Sequence, residues 1–308
     1  MIMHQNEVLE KEAKDPLSVW GPVLLLPSLL FLGLVILYPL VYNFILSLTN
    51  QDLFGRIGQW VGLRNYIKIL TSEEFWLSLK NGLVLSLSTT ALTLFIGLCV
   101  ALLMNKPIRG KSFFSGMLLF PYVIPSVVAA FIFQWLFNDL YGLFNFLFIK
   151  LGIIENPIAW FGSPDTAMPA IILVNVWRFF PFVFIVVLAR LQNIPNELYD
   201  AAKVDGANWF QQFRYVTLPQ LRSVFFLVII LRTIWVFNNF DMPWLLTQGG
   251  PAGMTQHLPI FAYLKVFREH RVGLGASITI TMFIFLLFCS LVYFRVYRFE
   301  KPREEGND

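Results

Sequence analysis

Two arginines of this sequence, Arg178 and Arg232, lie in the middle of long apolar stretches, where a guanidinium is costly unless it meets water, an acid or a carbonyl. Tryptophans and side-chain amides gather towards the ends of similar stretches. An indole face can stack on the C–H face of a sugar ring, and an amide can bond its hydroxyls. The residues that we select for lining a polar path are Gln134, Trp135, Asn138, Trp177, Arg178, Trp235, Asn238, Asn239, Asp241 and Trp244.

Each of these residues also has a structural explanation. Tryptophan anchors helices at a membrane surface, and amides form hydrogen bonds between helices. Arg178 precedes Pro181, where a kinked helix frees backbone carbonyls for a nearby donor. Bonds from Arg178 and Arg232 to helix carbonyls or to Asp241 are therefore the alternative to a role in contacting a solute.

A second set of functional candidates lies in the polar segment 191–220. Pro195 suits a first helical position, and Gly206 suits the stop that follows a helix C-terminus. Asn208 is placed to cap a second helix, which we expect to end just before Pro219. The segment therefore predicts two short helices joined by a bend.

The first of these helices carries acidic and small side chains together. Glu197 and Asp200 favour its positive N-terminal end, and Ala201 and Ala202 allow another surface to approach closely. Aromatic residues follow in the second helix. Docking against another protein and simple connection of two neighbouring helices are both consistent with this pattern.

Composition indicates which elements position these residues. Of the 308 residues, 57% are apolar and 14% are charged, and the mean hydropathy is +0.65. Soluble domains carry roughly a quarter charged residues. This composition excludes an ordinary soluble enzyme, a secreted disulfide scaffold and a disordered protein, and it favours a protein immersed in a membrane. The basic residues are scattered along the chain, which argues against nucleic-acid binding.

A helix of about 20 apolar residues crosses the hydrocarbon core of a bilayer. Six stretches reach that length, at about 22–48, 82–104, 113–138, 167–190, 221–245 and 276–297. An even number places both termini on one side, and that side holds thirteen Lys and Arg against eight on the other, which makes it cytoplasmic. We predict cytoplasmic tails at 1–21 and 299–308 and a membrane domain at 22–298, with segment 191–220 in the cytoplasm.

The segment 191–220 resembles the EAA loop of permease subunits in binding-protein-dependent ABC importers. It reads Asp200-Ala201-Ala202, three residues, Gly206, nine residues, then Val216-x-Leu218-Pro219, and every spacing matches the loop of that family. The two departures, Asp for Glu at position 200 and Val for Ile at position 216, are conservative.

One further stretch, Phe237-Asn-Asn-Phe-Asp241 followed by Leu246-Thr-Gln-Gly-Gly-Pro251, resembles carbohydrate-importing members of the same family, of the maltose-permease-like kind. Its second part is similar to their Leu-Thr-x-Gly-Gly-Pro segment. Trp177-Arg-Phe-Phe-Pro181-Phe182 and Val61-Gly-Leu-Arg-Asn-Tyr66 extend the resemblance to the permease family. The resemblance covers most of the chain, and the count of six spans is that of the shorter members.

The resemblance implies an all-α polytopic membrane protein with six transmembrane helices and the type I ABC importer permease (MetI-like) fold. It implies a second homologous permease subunit, two ATP-binding subunits, an extracytoplasmic solute-binding protein, a sugar substrate and a bacterial or archaeal plasma (inner) membrane. ATP and magnesium are expected in the partner ATPase, and this chain is expected to bind no metal or cofactor and to hold no catalytic residue. The residues that would couple it to the ATPase are Glu197, Asp200, Ala201, Ala202, Gly206, Leu218 and Pro219.

Two alternatives remain at this point. An importer for an anionic solute, such as glycerol phosphate or an acidic oligosaccharide, would explain the two arginines within the spans. A membrane-embedded enzyme is disfavoured because the chain has no HExxH or GxSxG motif. Its one Walker-like string, Gly110-Lys111-Ser112, has Asn105 where the first glycine is required, so we predict no ATP site in this chain.

Overall fold

The computed structural model describes residues 16–55 and 58–300. The predicted cytoplasmic tails, 1–21 and 299–308, lie largely outside the described residues, and the structure does not test them. Within the described residues, regular structure is helical apart from isolated β-bridges at Thr49–Trp60 and Asp52–Arg271.

Fourteen helices follow one another along this part of the chain. They are α1 (Pro16–Leu32), α2 (Tyr38–Ser47), α3 (Arg64–Leu70), α4 (Glu73–Met104), α5 (Lys111–Val123), α6 (Ser126–Leu136), α7 (Leu143–Lys150), α8 (Pro164–Gln192), α9 (Asn196–Val204), α10 (Trp209–Gln212), α11 (Leu218–Phe237), α12 (Asp241–Thr247), α13 (Leu258–Tyr263) and α14 (Val272–Glu300). Wider π turns at Gly33–Leu37 and Phe213–Thr217 join α1 to α2 and α10 to α11, and a third, Leu264–Arg268, follows α13.

Five helical segments of the described chain are long and apolar enough to cross a membrane. These are Leu24–Ser47, Glu73–Met104, Pro164–Gln192, Trp209–Phe237 and Val272–Val296. They confirm five of the six predicted spans. The helices α5 and α6 together pass the same test as a bent pair, which brings the number to six when the pair is taken as one span.

The third predicted span, 113–138, is therefore not one straight helix, and that expectation was wrong. Its two halves meet at an angle of 93°. Pro125 explains the break, because a proline disfavours helical backbone in the residue before it, and Ile124 is extended with φ −62° and ψ 131°. Pro121 inside α5 removes a further helical hydrogen bond.

The fifth predicted span also ends earlier than expected. The helix α11 stops at Phe237 rather than near residue 245, and α12 begins separately at Asp241. Asn238 is suited to this stop, because its side-chain amide donates to the carbonyl of Ile234 at 2.8 Å and so competes with the helical ladder.

The helices α4 and α8 form the centre of the bundle. A Cβ added at Gly97 would lie 2.7 Å from the Cβ of Val183, so the two backbones cross closely at this point. A Cβ added at Gly82 would lie 3.0 Å from the ring of Phe237, so this side chain of α11 packs directly against α4. Such contacts at small residues are characteristic of helices that associate within lipid.

The first span is exposed, unlike the others. None of the most apolar window of Leu24–Ser47 is buried inside the chain, whereas half of that window is buried in Pro164–Gln192. The C-terminal part of this span, α2, is attached to the bundle, because the Asn43 amide donates to Thr279 Oγ1 at 2.8 Å. The described residues leave the apolar surface of the span N-terminal to this bond uncovered.

One buried amide orders the segment between the third and fourth spans. Asn145 of α7 is 3% exposed, donates to the carbonyl of Ile158 at 2.9 Å and accepts from Trp160 Nε1 at 2.9 Å. These bonds hold Trp160 against Phe137, with ring centroids 5.1 Å apart. The end of α6 is therefore closed over by an ordered loop.

Candidate functional site

The polar segment 191–220 contains a short helix that stands on the ends of two long ones. This helix, α9, has no buried residue. It begins at Asn196, because Pro195 is its N-cap with an extended ψ of 133°, so the prediction that Pro195 is the first helical residue was wrong by one position. Glu197 lies in the first turn, next to the positive end of the helix dipole.

Gly206 ends α9 in a Schellman motif, as predicted. Its N–H bonds the carbonyl of Lys203 at 3.0 Å, and the N–H of Ala207 bonds the carbonyl of Ala202 at 2.9 Å. The φ of Gly206 is 77°, a left-handed conformation that side chains disfavour. A Cβ at this position would meet no atom within 4 Å. The requirement for glycine within the chain is therefore conformational and not one of space.

Asn208 caps the next helix, as predicted. Its side chain accepts from the Gln211 N–H at 2.9 Å, and the Gln211 side chain accepts from the Asn208 N–H at 2.7 Å, which is a complete capping box. The predicted end before Pro219 was wrong, since the helix continues through it to Phe237. A π turn at Phe213–Thr217 ends two residues before the proline, and this wider turn accommodates a residue that cannot make the regular helical bond.

Two pairs of hydrogen-bonded side chains fix the segment to the bundle. Tyr199 Oη and Thr217 Oγ1 lie 3.0 Å apart and join α9 to the π turn. Arg190 donates from Nε to the carbonyl of Gln220 and from Nη2 to its side-chain oxygen, at 3.0 and 2.8 Å. The sequence analysis missed these residues, and the pairing of a tyrosine with a threonine 18 positions away leaves no local pattern. The segment is therefore rigidly placed relative to the fourth and fifth spans.

The predicted coupling residues are largely accessible on this rigid segment. Glu197, Asp200, Ala201, Gly206 and Pro219 are exposed, and Ala202 and Leu218 are half-buried. Beside α9 lies a groove of about 740 Å³ that Asp200, Lys203 and Trp209 help to line. The structure brings the acidic and small residues of α9 together on a surface that nothing in the described chain covers.

Three of the predicted path residues share a cavity of about 530 Å³ at the end of α6: Gln134, Trp135 and Asn138. The Gln134 amide donates to the carbonyl of Leu245 at 2.7 Å. The side-chain oxygen of Asn138 accepts from two backbone N–H groups of the following turn. Trp135 is 55% exposed. The two amides are therefore engaged in bonds that shape the cavity, and the exposed ring of Trp135 is free to stack.

Arg178 lies against the bend of the third span. Its Nη2 donates to the carbonyl of Ile124, the residue at the break, at 3.3 Å. This bond supports the alternative that Arg178 satisfies a carbonyl freed by a kink. The kink that frees this carbonyl is the bend at Pro125 and not the expected one at Pro181. The preceding Trp177 is half-buried, with its ring 5.0 Å from that of Phe133.

The two arginines of the spans share one aromatic ring, that of Phe179. The Cζ of Arg178 lies 5.0 Å and that of Arg232 lies 4.4 Å from the ring centroid, within the range of a cation–π contact. Arg232 is 1% exposed, and its Nε and Nη2 have no hydrogen-bond partner in the described residues. Neither arginine lies within ion-pair distance of Asp241 in the described residues.

The predicted residues at the C-terminal end of the fifth span and just beyond it divide into two groups. Trp235 and Asn238 are exposed, and Trp235 packs on Phe182 at 5.4 Å between centroids. Asn239 turns inward and donates to the side-chain oxygen of Asn175 at 3.1 Å. Trp244 stacks among neighbouring aromatic rings. The first group remains available for contacts outside the chain, and the second serves the packing.

A buried histidine that the sequence analysis did not select completes this region. His257 is fully buried in the loop before α13, and its Nε2–H donates to the carbonyl of Asn239 at 2.9 Å. Its Nδ1 has no partner among the described residues. Burial lowers the pKa of His257 from 6.5 to about 4, so the imidazole is neutral at neutral pH.

This low pKa predicts a loss of stability in mild acid. Below the unfolded pKa of 6.5, the unfolded chain gains a proton that the folded chain does not take up until about pH 4. Lowering the pH from about 7.5 to about 5 is therefore expected to reduce the free energy of unfolding by about 2 kcal/mol through this residue. The measurement is thermal unfolding in detergent at both pH values for the natural chain and for His257→Gln. A pH-dependent difference as large in His257→Gln as in the natural chain would contradict it.

Comparison with known proteins gives consistent sequence matches. Residues 93–305 match the model of the family described as binding-protein-dependent transport system inner membrane component. The trehalose/maltose transport system permease protein MalF of Thermococcus litoralis is 35% identical over 91% of this chain and 94% of its own length. The sulfoquinovosyl glycerol transport system permease protein SmoG of Agrobacterium fabrum is 35% identical over 90% and 89%.

A solved structure matches over nearly the whole chain. It is that of a bacterial ABC transporter involved in the import of the acidic polysaccharide alginate, with a TM-score of 0.80 and 21% identity, over 96% of this chain and 99% of that one. A second structure of the alginate transporter, in complex with a periplasmic protein that holds an alginate pentasaccharide, has a TM-score of 0.78. At this level of identity the likeness shows the shared fold.

Proposed function

Because this chain belongs to the family of binding-protein-dependent transport system inner membrane components, we propose that it is the permease of an ATP-driven importer for a sugar or oligosaccharide. Membership makes the chain a transport subunit rather than an enzyme, and its helices have the type I importer permease fold expected from the sequence. The observation that carries the proposed mechanism is α9, a capped, rigidly attached helix whose acidic and small residues are exposed.

The geometry of α9 supports a role in transmitting force. A docking helix has to move as one body with the spans that it drives. Tyr199 and Arg190 bond α9 and the end of the fourth span to the start of the fifth. The π turn at Phe213–Thr217 then continues into the fifth span without a break in the helix. A displacement of α9 by an ATPase that binds ATP and magnesium would therefore be passed to the start of the fifth span. Arg232 and Trp235 lie on that same continuous helix.

A second permease subunit is needed to complete the path. Trp135, Trp235 and Asn238 are exposed on this chain, although aromatic and amide groups that contact a solute require an enclosed site. The first span also carries apolar surface that the described residues leave uncovered. A homologous permease, two ATP-binding subunits and an extracytoplasmic solute-binding protein form the complex that we propose, in a bacterial or archaeal plasma membrane.

The orientation in that membrane follows from the basic residues. The segment 105–111, which joins α4 to the start of α5, contains Lys106, Arg109 and Lys111 and no acid, which favours the cytoplasmic side. Two spans, the third and the fourth, separate this segment from segment 191–220, so the two segments lie on the same side of the membrane. We place both termini and α9 in the cytoplasm, where an ATPase is available, and the cavity beside Trp135 on the outer side.

An anionic solute is the second candidate substrate, and Arg232 is the observation that favours it. Two donors of its guanidinium are buried without a partner, and an unsatisfied buried donor is costly. A carboxylate, sulfonate or phosphate on the solute would satisfy them. One relative is named for sulfoquinovosyl glycerol transport and another for trehalose and maltose, so the family includes both kinds of substrate.

Transport assays on the reconstituted complex distinguish the two candidates. Vesicles that contain both permeases and the ATPase would be supplied with binding protein loaded with neutral or acidic oligosaccharides. For an anionic substrate, Arg232→Met is expected to reduce uptake at least about 10-fold, because the charge-assisted bonds disappear, while Arg109→Gln leaves uptake unchanged. Uptake of neither class by the natural complex would contradict the proposed function.

A further inference from the structure

A groove lies between the start of the fifth span and the end of the sixth, away from the path residues. It has a volume of about 550 Å³ and is lined by residues of α11, the preceding π turn and α14. Phe225, Phe226 and Ile229 form its wall on α11, and Tyr293 faces them from α14. The walls are predominantly apolar, which suits hydrocarbon better than a water-soluble ligand.

The shape of this groove is fixed by direct bonds between the two helices. The rings of Phe226 and Tyr293 are stacked, with centroids 4.3 Å apart and an interplanar angle of 17°. The Tyr293 hydroxyl also donates to the carbonyl of Phe226 at 2.9 Å. These contacts keep α11 and α14 together on one side of the groove. The groove is therefore a preformed feature and does not depend on a ligand to open it.

The basic residues of the groove lie at one end of it. Arg214 and Arg222 line it on the side of segment 191–220, and both side chains are exposed. No acid pairs with Arg214 in the described residues. Arg214 and Arg222 are about 12 Å apart along the helix axis, and Ile229 lies about 10 Å further, at about 1.5 Å per residue. Along the membrane normal, the two arginines thus come first and the apolar wall follows them.

We infer that this groove binds an anionic phospholipid of the cytoplasmic leaflet. The phosphate lies between Arg214 and Arg222, and an acyl chain follows the wall formed by Phe225 and Ile229. Basic pockets between transmembrane helices on the cytoplasmic side are suited to anionic lipid head groups. The inference uses the cytoplasmic position of segment 191–220 from the proposed function and no other part of it.

The position of the groove suggests a purpose for the lipid. Arg214 lies in the π turn that connects the capped helix pair to the fifth span. A lipid bound across Arg214 and α14 would support this turn against the sixth span while α9 is displaced. Lipid composition is therefore expected to affect how well motion of α9 reaches the membrane.

Native mass spectrometry of the purified complex tests the inference. The probes are phosphatidylglycerol and phosphatidylcholine with the same acyl chains. We expect retained phosphatidylglycerol to exceed phosphatidylcholine by about 10-fold or more, and the preference to disappear in R214Q/R222Q. The control R109Q/K111Q removes two positive charges from the other cytoplasmic loop and is expected to keep the preference. If R214Q/R222Q does not insert, R214Q alone is expected to weaken the preference.

Two outcomes would overturn the inference. One is a preference for phosphatidylglycerol that persists in the arginine variants or disappears equally in R109Q/K111Q, which would indicate general surface charge. The other comes from a photoreactive p-benzoylphenylalanine in place of Ile229. A lipid adduct is expected, and an adduct to the second permease alone would show that a protein covers the groove. Both readouts are independent of uptake, so a failure of the proposed transport function would leave them unchanged.

Discussion

Replacing Gly206 with leucine is expected to reduce uptake more than about 100-fold while the chain still inserts in the membrane. A left-handed backbone costs a residue with a side chain about 1–2 kcal/mol, which corresponds to only about 5- to 30-fold in an equilibrium. A Cβ at this position meets no atom within 4 Å in the described residues. Any further loss must therefore come from a surface outside the chain that approaches Gly206 closely. Uptake and recovery of the ATPase with the purified permease are the measurements.

Gly152 provides a matched control for this substitution. Its φ is 69°, and a Cβ there would also meet no atom within 4 Å, but it lies in the loop after α7 on the proposed outer side. Gly152→Leu introduces a comparable backbone strain and is expected to change uptake by less than about 5-fold. A similar loss in both variants, or uptake close to natural in Gly206→Leu, would remove the docking role of Gly206.

Local patterns in the sequence predicted the coupling segment well. The stop at Gly206 and the cap at Asn208 each depend on one residue and its nearest backbone groups, and the structure has both. The continuation of the helix through Pro219 was missed, because a proline ends a helix on average and only the neighbouring π turn shows how it is accommodated. Patterns that are local in the chain were therefore predictable, and the compensation for an unfavourable residue was not.

Contacts between distant parts of the chain were beyond sequence reasoning. The bond from Arg178 to the carbonyl of Ile124 spans 54 positions, and the bond from Asn239 to Asn175 spans 64. Hydropathy alone shows an amide or a guanidinium at membrane depth and gives no partner for it. The same sequence pattern therefore suggested a solute path for Asn239, which serves the packing, and for Asn238, which remains exposed.

These contacts also change what the path residues imply. Arg178 has a backbone partner, whereas the deeper Arg232 has two donors without one. The pair shares Phe179, a residue that the sequence analysis did not select. Because both guanidiniums contact the ring of Phe179, a group that draws Arg232 away would also change the surroundings of Arg178 at the bend. A solute near Arg232 would thus be sensed at the break of the third span.

Reversing the charge of Asp200 is expected to abolish uptake by a different route. Asp200 forms an ion pair of 2.9 Å with Lys203, but both side chains are more than half exposed, so the pair contributes at most about 0.5 kcal/mol to folding. Asp200→Lys should therefore fold and insert normally. If an ATPase recognises the acid of α9, like charges brought together at a buried contact cost several kcal/mol, and uptake should fall more than about 100-fold.

The exchange of the two charges separates docking from the local ion pair. Asp200→Lys combined with Lys203→Asp restores an opposite-charge pair at the same spacing, so any role of Asp200 within α9 is recovered. The position of the negative charge on the exposed surface is not recovered. We therefore expect the double variant to remain as inactive as Asp200→Lys, and to co-purify with less ATPase. Recovery of uptake in the double variant would show that the carboxylate acts through its pair with Lys203. A contact with another protein depends on which of the two positions carries the negative charge, whereas the pair within α9 does not.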